Sequence, residues 1–170
     1  MKILGIDPGM HETGWAVLDG ANGAPNLVAS GVIRTMPVLA LAQRLNAIHR
    51  ALSAVLAQHK PESCAIEEMF FTTRAHTVRA TLQARGVVLL AVAQAGGTVV
   101  EYNPKTVKLS LTGSGRAEKA QMQAVVQKAL GLKEVLRPND VADAAAIALC
   151  HLRSGRLKGL KVLDSWGGRG

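Results

Sequence analysis

Four acidic residues in this chain stand where a carboxylate needs a reason. Asp7 closes the alternating apolar run KILGID, Glu67 closes CAIE, and Asp140 and Asp143 lie three apart in RPNDVADAAAIALC. The three-residue spacing puts the last two on one face of a helix, with Cβ atoms about 5–6 Å apart. If the strands ending at Asp7 and Glu67 are parallel neighbours, about 4.8 Å apart, those two acids share one rim; an antiparallel pairing would part them. Clustered like charges raise one another's pKa and resist ionisation unless a cation neutralises them. Four carboxylates therefore call for two divalent ions, and hard oxygen donors select Mg²⁺ or Mn²⁺. Two such ions about 4 Å apart clamp the attacking and leaving oxygens of a phosphodiester and activate a water, which is nuclease chemistry. Taken singly, each acid has an ordinary explanation. Asp7 opens an Asp-Pro-Gly turn, and Asp140 falls in the first turn of a helix opened by Pro-Asn, where the macrodipole favours an acid.

Residues 2–7, 12–19 and 27–35 read as strands, separated by DPGMHE and GANGAPN at hairpin-like spacing, so three antiparallel strands open the fold. Leu41, Leu45, Ile48, Leu52, Val55 and Leu56 recur at helical spacing and predict a helix over 39–58, with Pro61 as a stop. SCAIE at 63–67 and TVVEY at 98–102 are two further strands. Between them a helix over about 74–95 ends at Gly96-Gly97; its VVLLAVA segment is apolar on all sides, which means burial or a partner subunit. Helices follow over about 104–111, 117–130 and 139–153. The pattern predicts an α/β fold: a five-stranded mixed sheet, three antiparallel strands then two parallel, flanked by helices. A chain of 170 residues fits one domain, expected over 1–153, with 154–170 as a basic, loosely ordered tail.

The formal charge of +8 is unevenly placed. Residues 1–102 hold 8 Lys and Arg against 7 acids, whereas residues 103–170 hold 12 against 5. Such a surface suits a polyanion, and nucleic acid is the commonest one in cytoplasm. Cys64 and Cys150 sit in apolar runs without metal-ligand spacing and read as buried thiols of a reducing compartment. The run VVLLAVA stops at seven residues, short of the roughly 18 a membrane span needs, and the N-terminus carries no targeting pattern, so a soluble cytoplasmic protein is expected.

Two stretches could hold DNA. LTGSGRAEKAQ is a Gly/Ser loop running into a helix whose free N–H groups suit a phosphate, although it lacks Walker A spacing; Arg116, Lys119 and nearby Lys108 add charge. Phe70 and Phe71 lie just past Glu67, where an exposed ring could stack on an unpaired base; burial in the core is the ordinary alternative and is the reading for Phe71. Glu68 should face the opposite side of its strand from Glu67. His11 and His76 read as surface residues and Trp15 as core.

GIDPGMHETGWAV, AIEEMFF, QARG, EYNPKTVKLSLTGSGRAEK and RPNDVADAAAIALCH, in this order and at these spacings, resemble the RuvC Holliday junction resolvases across almost the whole chain. The resemblance implies an RNase H-like fold and a homodimer that nicks two strands of a four-way DNA junction symmetrically during recombination and repair. It also implies Mg²⁺ or Mn²⁺, two ions per site, with products carrying 5′-phosphate and 3′-hydroxyl ends, and a RuvAB-type branch-migration complex as partner. The family's acidic motif positions correspond to Asp7, Glu67, Asp140 and Asp143. Phe70 falls at the Glu-x-x-Phe position and takes the stacking role; Lys108 and Lys119 become junction-contacting lysines, Lys119 also stabilising charge near the scissile phosphate. The chain departs from the family pattern at Arg74, where asparagine is usual and which is counted among the DNA-binding residues, and at Leu82, where glycine commonly precedes QARG. Two other readings compete. The opening strand-turn-strand also resembles actin-like ATPases and sugar kinases, but those need two related lobes and no repeat exists here. A non-catalytic junction-binding module of the same fold would leave the acids idle, and the presence of all four speaks against it.

Overall fold

The computed structural model describes residues 1–20, 24–69 and 75–154, with only the backbone described for 75–77. Five strands form one sheet: β1 (Lys2–Asp7), β2 (Glu12–Asp19), β3 (Asn26–Arg34), β4 (Ser63–Glu67) and β5 (Val99–Tyr102). Their order is β3-β2-β1-β4-β5; β1 pairs antiparallel with β2, β2 antiparallel with β3, and β1–β4 and β4–β5 are parallel. The mixed sheet expected from the sequence is therefore present, with strand ends within one residue of those predicted.

Side-chain alternation assigns each strand residue to a face. Leu4, Ile6, Val17, Cys64 and Ile66 point into a core completed by α1 (Leu41–His59) and α2 (Ala75–Gln94), through Ile48, Leu52, Leu56, Ala84, Val88 and Val92. Ile3, Ala16, Leu18, Ala65, Val100 and Tyr102 point into the opposite core, which α3 (Pro104–Thr112), α4 (Lys119–Ala129) and α5 (Asn139–Ser154) close. The apolar VVLLAVA stretch is only partly resolved by this burial: Val88, Ala91 and Val92 are buried, while Leu90 is half exposed.

The helices end where backbone chemistry requires. α1 terminates at Lys60 in the left-handed region (φ 47°), with its N–H donating to the Leu56 carbonyl and Pro61 following. In α3, Asn103 caps the first turn by accepting from the Lys105 N–H at 2.9 Å, and Pro104 takes the first helical position. α4 begins at Lys119, two residues later than predicted, because Glu118 in extended conformation occupies its N-cap. α5 runs through Ser154, one residue past the predicted domain end; the rest of the expected tail lies outside the described residues.

α5 is the element that brings the helix-borne acids to the sheet. Its alanine-rich face, Ala144, Ala145 and Ala148, lies against β1 and β2, and glycines opposite it permit contact at backbone distance. A Cβ on Gly5 would stand 2.0 Å from the Ala144 carbonyl oxygen, and one on Gly14 would stand 2.0 Å from that of Asp140. Neither position can carry a side chain while the helix stays seated.

Candidate active site

The parallel β1–β4 register runs from Ile3 opposite Ser63 to Ile6 opposite Ile66, so the next pair across the ladder is Asp7 and Glu67. Both follow the parity of Ile3 and Ala65 and so face α5. Asp143 joins them as a wall of two adjoining clefts. One, of about 310 Å³, is lined by Asp7, Pro8, Glu67, Glu68, Met69, Thr81, Arg85 and Asp143. The other, of about 260 Å³, is bounded by Glu67, Lys108, Lys119, Asp143 and an apolar floor of Val107, Met122 and Ile147.

Electrostatics record the crowding. Asp7 has its pKa pushed up to about 7, first by burial and then by the negative charges of Asp143, Asp140 and Glu67, with Lys119 acting weakly against them. Glu67 is raised by burial and by Asp143, and lowered by the Lys108 and Lys119 ammonium groups. Asp140 is raised by burial and by Glu12, whose carboxyl hydrogen-bonds to it, against a bond from its own backbone amide. Lys119 donates to Asp143 Oδ2 at 2.8 Å. Burial works against the Lys119 charge, but this bond and the neighbouring Asp7 and Asp140 leave its pKa raised.

Among the described residues, no three acids converge closely enough to hold an ion with their side chains as they stand. The donor set still suits hard divalent cations: four carboxylates gathered at adjoining strand and helix ends, the pKa values of Asp7, Glu67 and Asp140 raised, with an ammonium group already drawn to Asp143.

Of the sequence-predicted residues, the structure brings Asp7, Glu67, Asp143, Lys108 and Lys119 around the two clefts, with Asp140 one helical turn from Asp143. Arg116 is exposed on the loop before α4 and lines neither cleft. That loop spends amides internally, Ser114 N–H on Thr112 Oγ1 and Arg116 N–H on Ser114 Oγ, and Glu118 stands at the mouth of the helix. Phe70, Phe71 and Arg74 lie outside the described residues, as does the His76 side chain. Trp15 is partly buried against the α1–α2 core and covers Gly31, and His11 Nδ1 lies 3.2 Å from an Arg44 nitrogen.

Three residues were missed. Glu12 shares the parity of Gly14 and Ala16, which places it on the α5 face beside Asp140; the alternation of β2 carried that signal. Glu68, expected to turn away, lines the larger cleft, because β4 ends at Glu67 and strand alternation no longer governs the next residue. Arg85, in the QARG segment of α2, donates from one terminal nitrogen to the Glu67 carbonyl at 2.8 Å and from the other to the Glu101 carboxylate. One of two arginines in a largely apolar helix gave only a weak hint of this.

The sheet order with acids at the ends of two adjacent parallel strands and on the helix crossing them defines an RNase H-like α/β protein. The chain belongs to the RuvC family: residues 3–151 match the profile described as Crossover junction endodeoxyribonuclease RuvC. It is 45% identical over 157 residues to a protein of that name from Syntrophomonas wolfei, covering 92% of this chain and 91% of the relative. The structure of T. thermophilus RuvC in complex with Holliday junction substrate superposes with a TM-score of 0.92 at 36% identity, covering 96% of this chain and 99% of that one. A second Thermus thermophilus RuvC structure gives 0.88 at 37% identity, covering 96% of this chain and all of the other.

Proposed function

We propose that this chain is a metal-dependent endonuclease that resolves four-way DNA junctions by paired, symmetric nicks during recombination and repair. The observation that carries the reading is the meeting of Asp7 and Glu67, from parallel strand ends, with Asp143 on the helix that crosses them. Membership of the RuvC family, one of whose solved members is bound to Holliday junction substrate, supplies the substrate class.

Asp7, Glu67, Asp140 and Asp143 would hold two divalent cations, Mg²⁺ or Mn²⁺. When bound, the ions supply charge neutralisation at the attacking and leaving oxygens and acidify a water. The chain's own groups do the rest. The apolar floor of the smaller cleft lowers the local dielectric on one side of Glu67 and Asp143 and so strengthens the electrostatic interactions there. Lys119, which bonds to Asp143, offers a nearby phosphate its ammonium group, and Lys108 adds a second charge on the same wall. Arg116 and Arg74 extend the basic surface, and Phe70 stacks on an unpaired base at the junction centre. Residues 1–153 form the nuclease domain, and 154–170 a basic tail.

A homodimer places two such sites on opposing strands, since closed two-fold symmetry matches the substrate's own and explains paired cuts. The nicks leave 5′-phosphate and 3′-hydroxyl ends, a RuvAB-type complex supplies branch migration, and the protein works in the cytoplasm. Among the described residues no helix is long and apolar enough to cross a membrane.

The test is cleavage of an end-labelled mobile four-way junction beside a linear duplex, with Mg²⁺, Mn²⁺ or EDTA. Paired, ligatable nicks on the junction alone, abolished by EDTA, are expected. Tight junction binding without cleavage under any metal would favour the binding-module reading.

A further inference from the structure

We propose that Arg85 is a positioning residue of the nuclease site, fixing the end of β4 so that Glu67 is presented beside Asp7. This rests on the metal-dependent reading above and names a device within it.

Arg85 is 8% exposed, yet it carries a full charge inside α2. One terminal nitrogen donates to the backbone carbonyl of Glu67 itself, at 2.8 Å, and the other is ion-paired to Glu101 on β5. Glu101 sits opposite Ile66 in the β4–β5 ladder, and the Glu68 N–H to Tyr102 carbonyl bond, at 2.8 Å, closes that ladder. The guanidinium therefore ties α2, β4 and β5 together at the residue whose carboxylate enters both clefts, and Arg85 itself lines the larger one.

Stability alone does not explain an ion pair here. A buried pair is often no better for the fold than apolar residues of the same volume, because desolvation offsets the attraction. What an arginine adds is direction: a rigid planar fork holds two acceptors in one geometry, which a flexible ammonium cannot do. A shift of the Glu67 backbone moves its carboxylate with it, and groups that orient metal ligands in this way typically govern affinity by about 10–100-fold.

The experiment is calorimetric titration of the DNA-free full chain with Mn²⁺ alone, at least 20 degrees below each variant's measured melting point, alongside junction affinity in EDTA. The variants are Arg85→Lys, the double variant Arg85→Met with Glu101→Met, and Asp7→Asn as a control; the double variant removes both charges of the pair and so leaves neither unpaired. We expect the double variant to fold, to bind junction as the parent does, and to lose about 10-fold or more in Mn²⁺ affinity. Arg85→Lys should lie between the two, and its cleavage should recover at high Mn²⁺. A folded double variant with unchanged Mn²⁺ affinity would overturn the proposal, as would failure of both Arg85 variants to fold, which would make Arg85 a requirement of the fold alone. If the parent shows no Mn²⁺ binding that Asp7→Asn removes, the metal reading fails, whatever Arg85 does.

Discussion

The two acids on strands and the two on the helix are held in different ways. Asp7 and Glu67 sit at rigid sheet ends, and neither carboxylate receives a hydrogen bond or ion pair from another described residue; burial and like charge raise both pKa values, that of Asp7 to about 7. Asp140 and Asp143 sit on the first turns of α5 with partners at hand: Glu12 at one, Lys119 at the other. The strand pair is thus pre-positioned and electrostatically unsatisfied. On the helix, Asp143 is satisfied by Lys119, whereas Asp140 is crowded by Glu12 and held by its own backbone amide; in the proposed metal site both would exchange these neighbours for a cation. On the proposed reading, the strand ends would supply unspent charge, and the helix would supply in Asp143 a group that metal and DNA compete to release from Lys119.

The sharpest way to break this contrast is at Asp7. Asp7→Asn removes a carboxylate but no positive charge, so cleavage should fall by on the order of 10³-fold or more, several kcal/mol of lost charge stabilisation, while junction binding in EDTA persists. Cleavage and gel-shift assays on the same preparation check it. Loss of binding together with cleavage would mean that Asp7 holds the fold and not the reaction.

The helix pair can be attacked without touching an acid. In Gly14→Ala the new Cβ would meet the Asp140 carbonyl at 2.0 Å, so α5 must lift and carry Asp140 and Asp143 away from the strand acids. A displacement of about 1 Å at a reacting site can cost on the order of 10²-fold in rate, and overpacking of this kind about 1–3 kcal/mol of stability. Cleavage at saturating Mn²⁺ and a melting curve check the two effects separately.

Stability against pH tests the unsatisfied charge directly. The folded pKa of Asp7, about 7, lies above the ordinary value near 4, so the metal-free folded state binds the proton more tightly than the unfolded chain. The resulting contribution is greatest in acid and is lost as pH rises from about 4 to about 7, amounting to at most about 4 kcal/mol. Asp7→Asn should therefore melt higher than the parent at pH 8 in EDTA, and saturating Mn²⁺ should reverse that order. Equal melting points in EDTA at pH 8 would show that Asp7 carries no such strain.

These contrasts were unevenly visible in the sequence. The strand acids could be found because β periodicity ends abruptly at Asp7 and Glu67, and their meeting required only that β1 and β4 run parallel, as they do. The Asp140–Asp143 pair was legible from helical spacing. What could not be read were contacts between elements far apart in the chain: Glu12 against Asp140, Arg85 against the Glu67 carbonyl, and the glycine seats under α5. Each depends on how closely two elements approach, which the local sequence pattern does not encode.

Lys119 allows the helix side to be sharpened. It is half exposed and bonds to Asp143, so removing it frees that acid for metal while deleting a contact for DNA. Lys119→Ala should weaken junction binding and reduce the salt dependence by about one unit of log–log slope for the lost phosphate contact. Affinities at four salt concentrations decide the matter; an unchanged slope would place Lys119 off the phosphate backbone.

The smallest effect belongs to Glu12, and it tests whether proximity to the acids suffices for a role. Glu12 stands beside Asp140, but it also binds Arg34 Nε at 2.8 Å across the β2–β3 ladder, with both side chains open to solvent. An exposed pair of this kind contributes at most about 1 kcal/mol. Glu12→Gln keeps the shape and the acceptor while removing the charge that crowds Asp140. At saturating metal we expect cleavage within about 3-fold of the parent, a difference below 1 kcal/mol, with any change confined to the metal concentration needed for half-maximal rate. A loss approaching that of Asp7→Asn would make Glu12 a fifth member of the acidic set. It would also erase the contrast between strand and helix, because Glu12, itself strand-borne, would then be spending its charge on the reaction and not on Arg34.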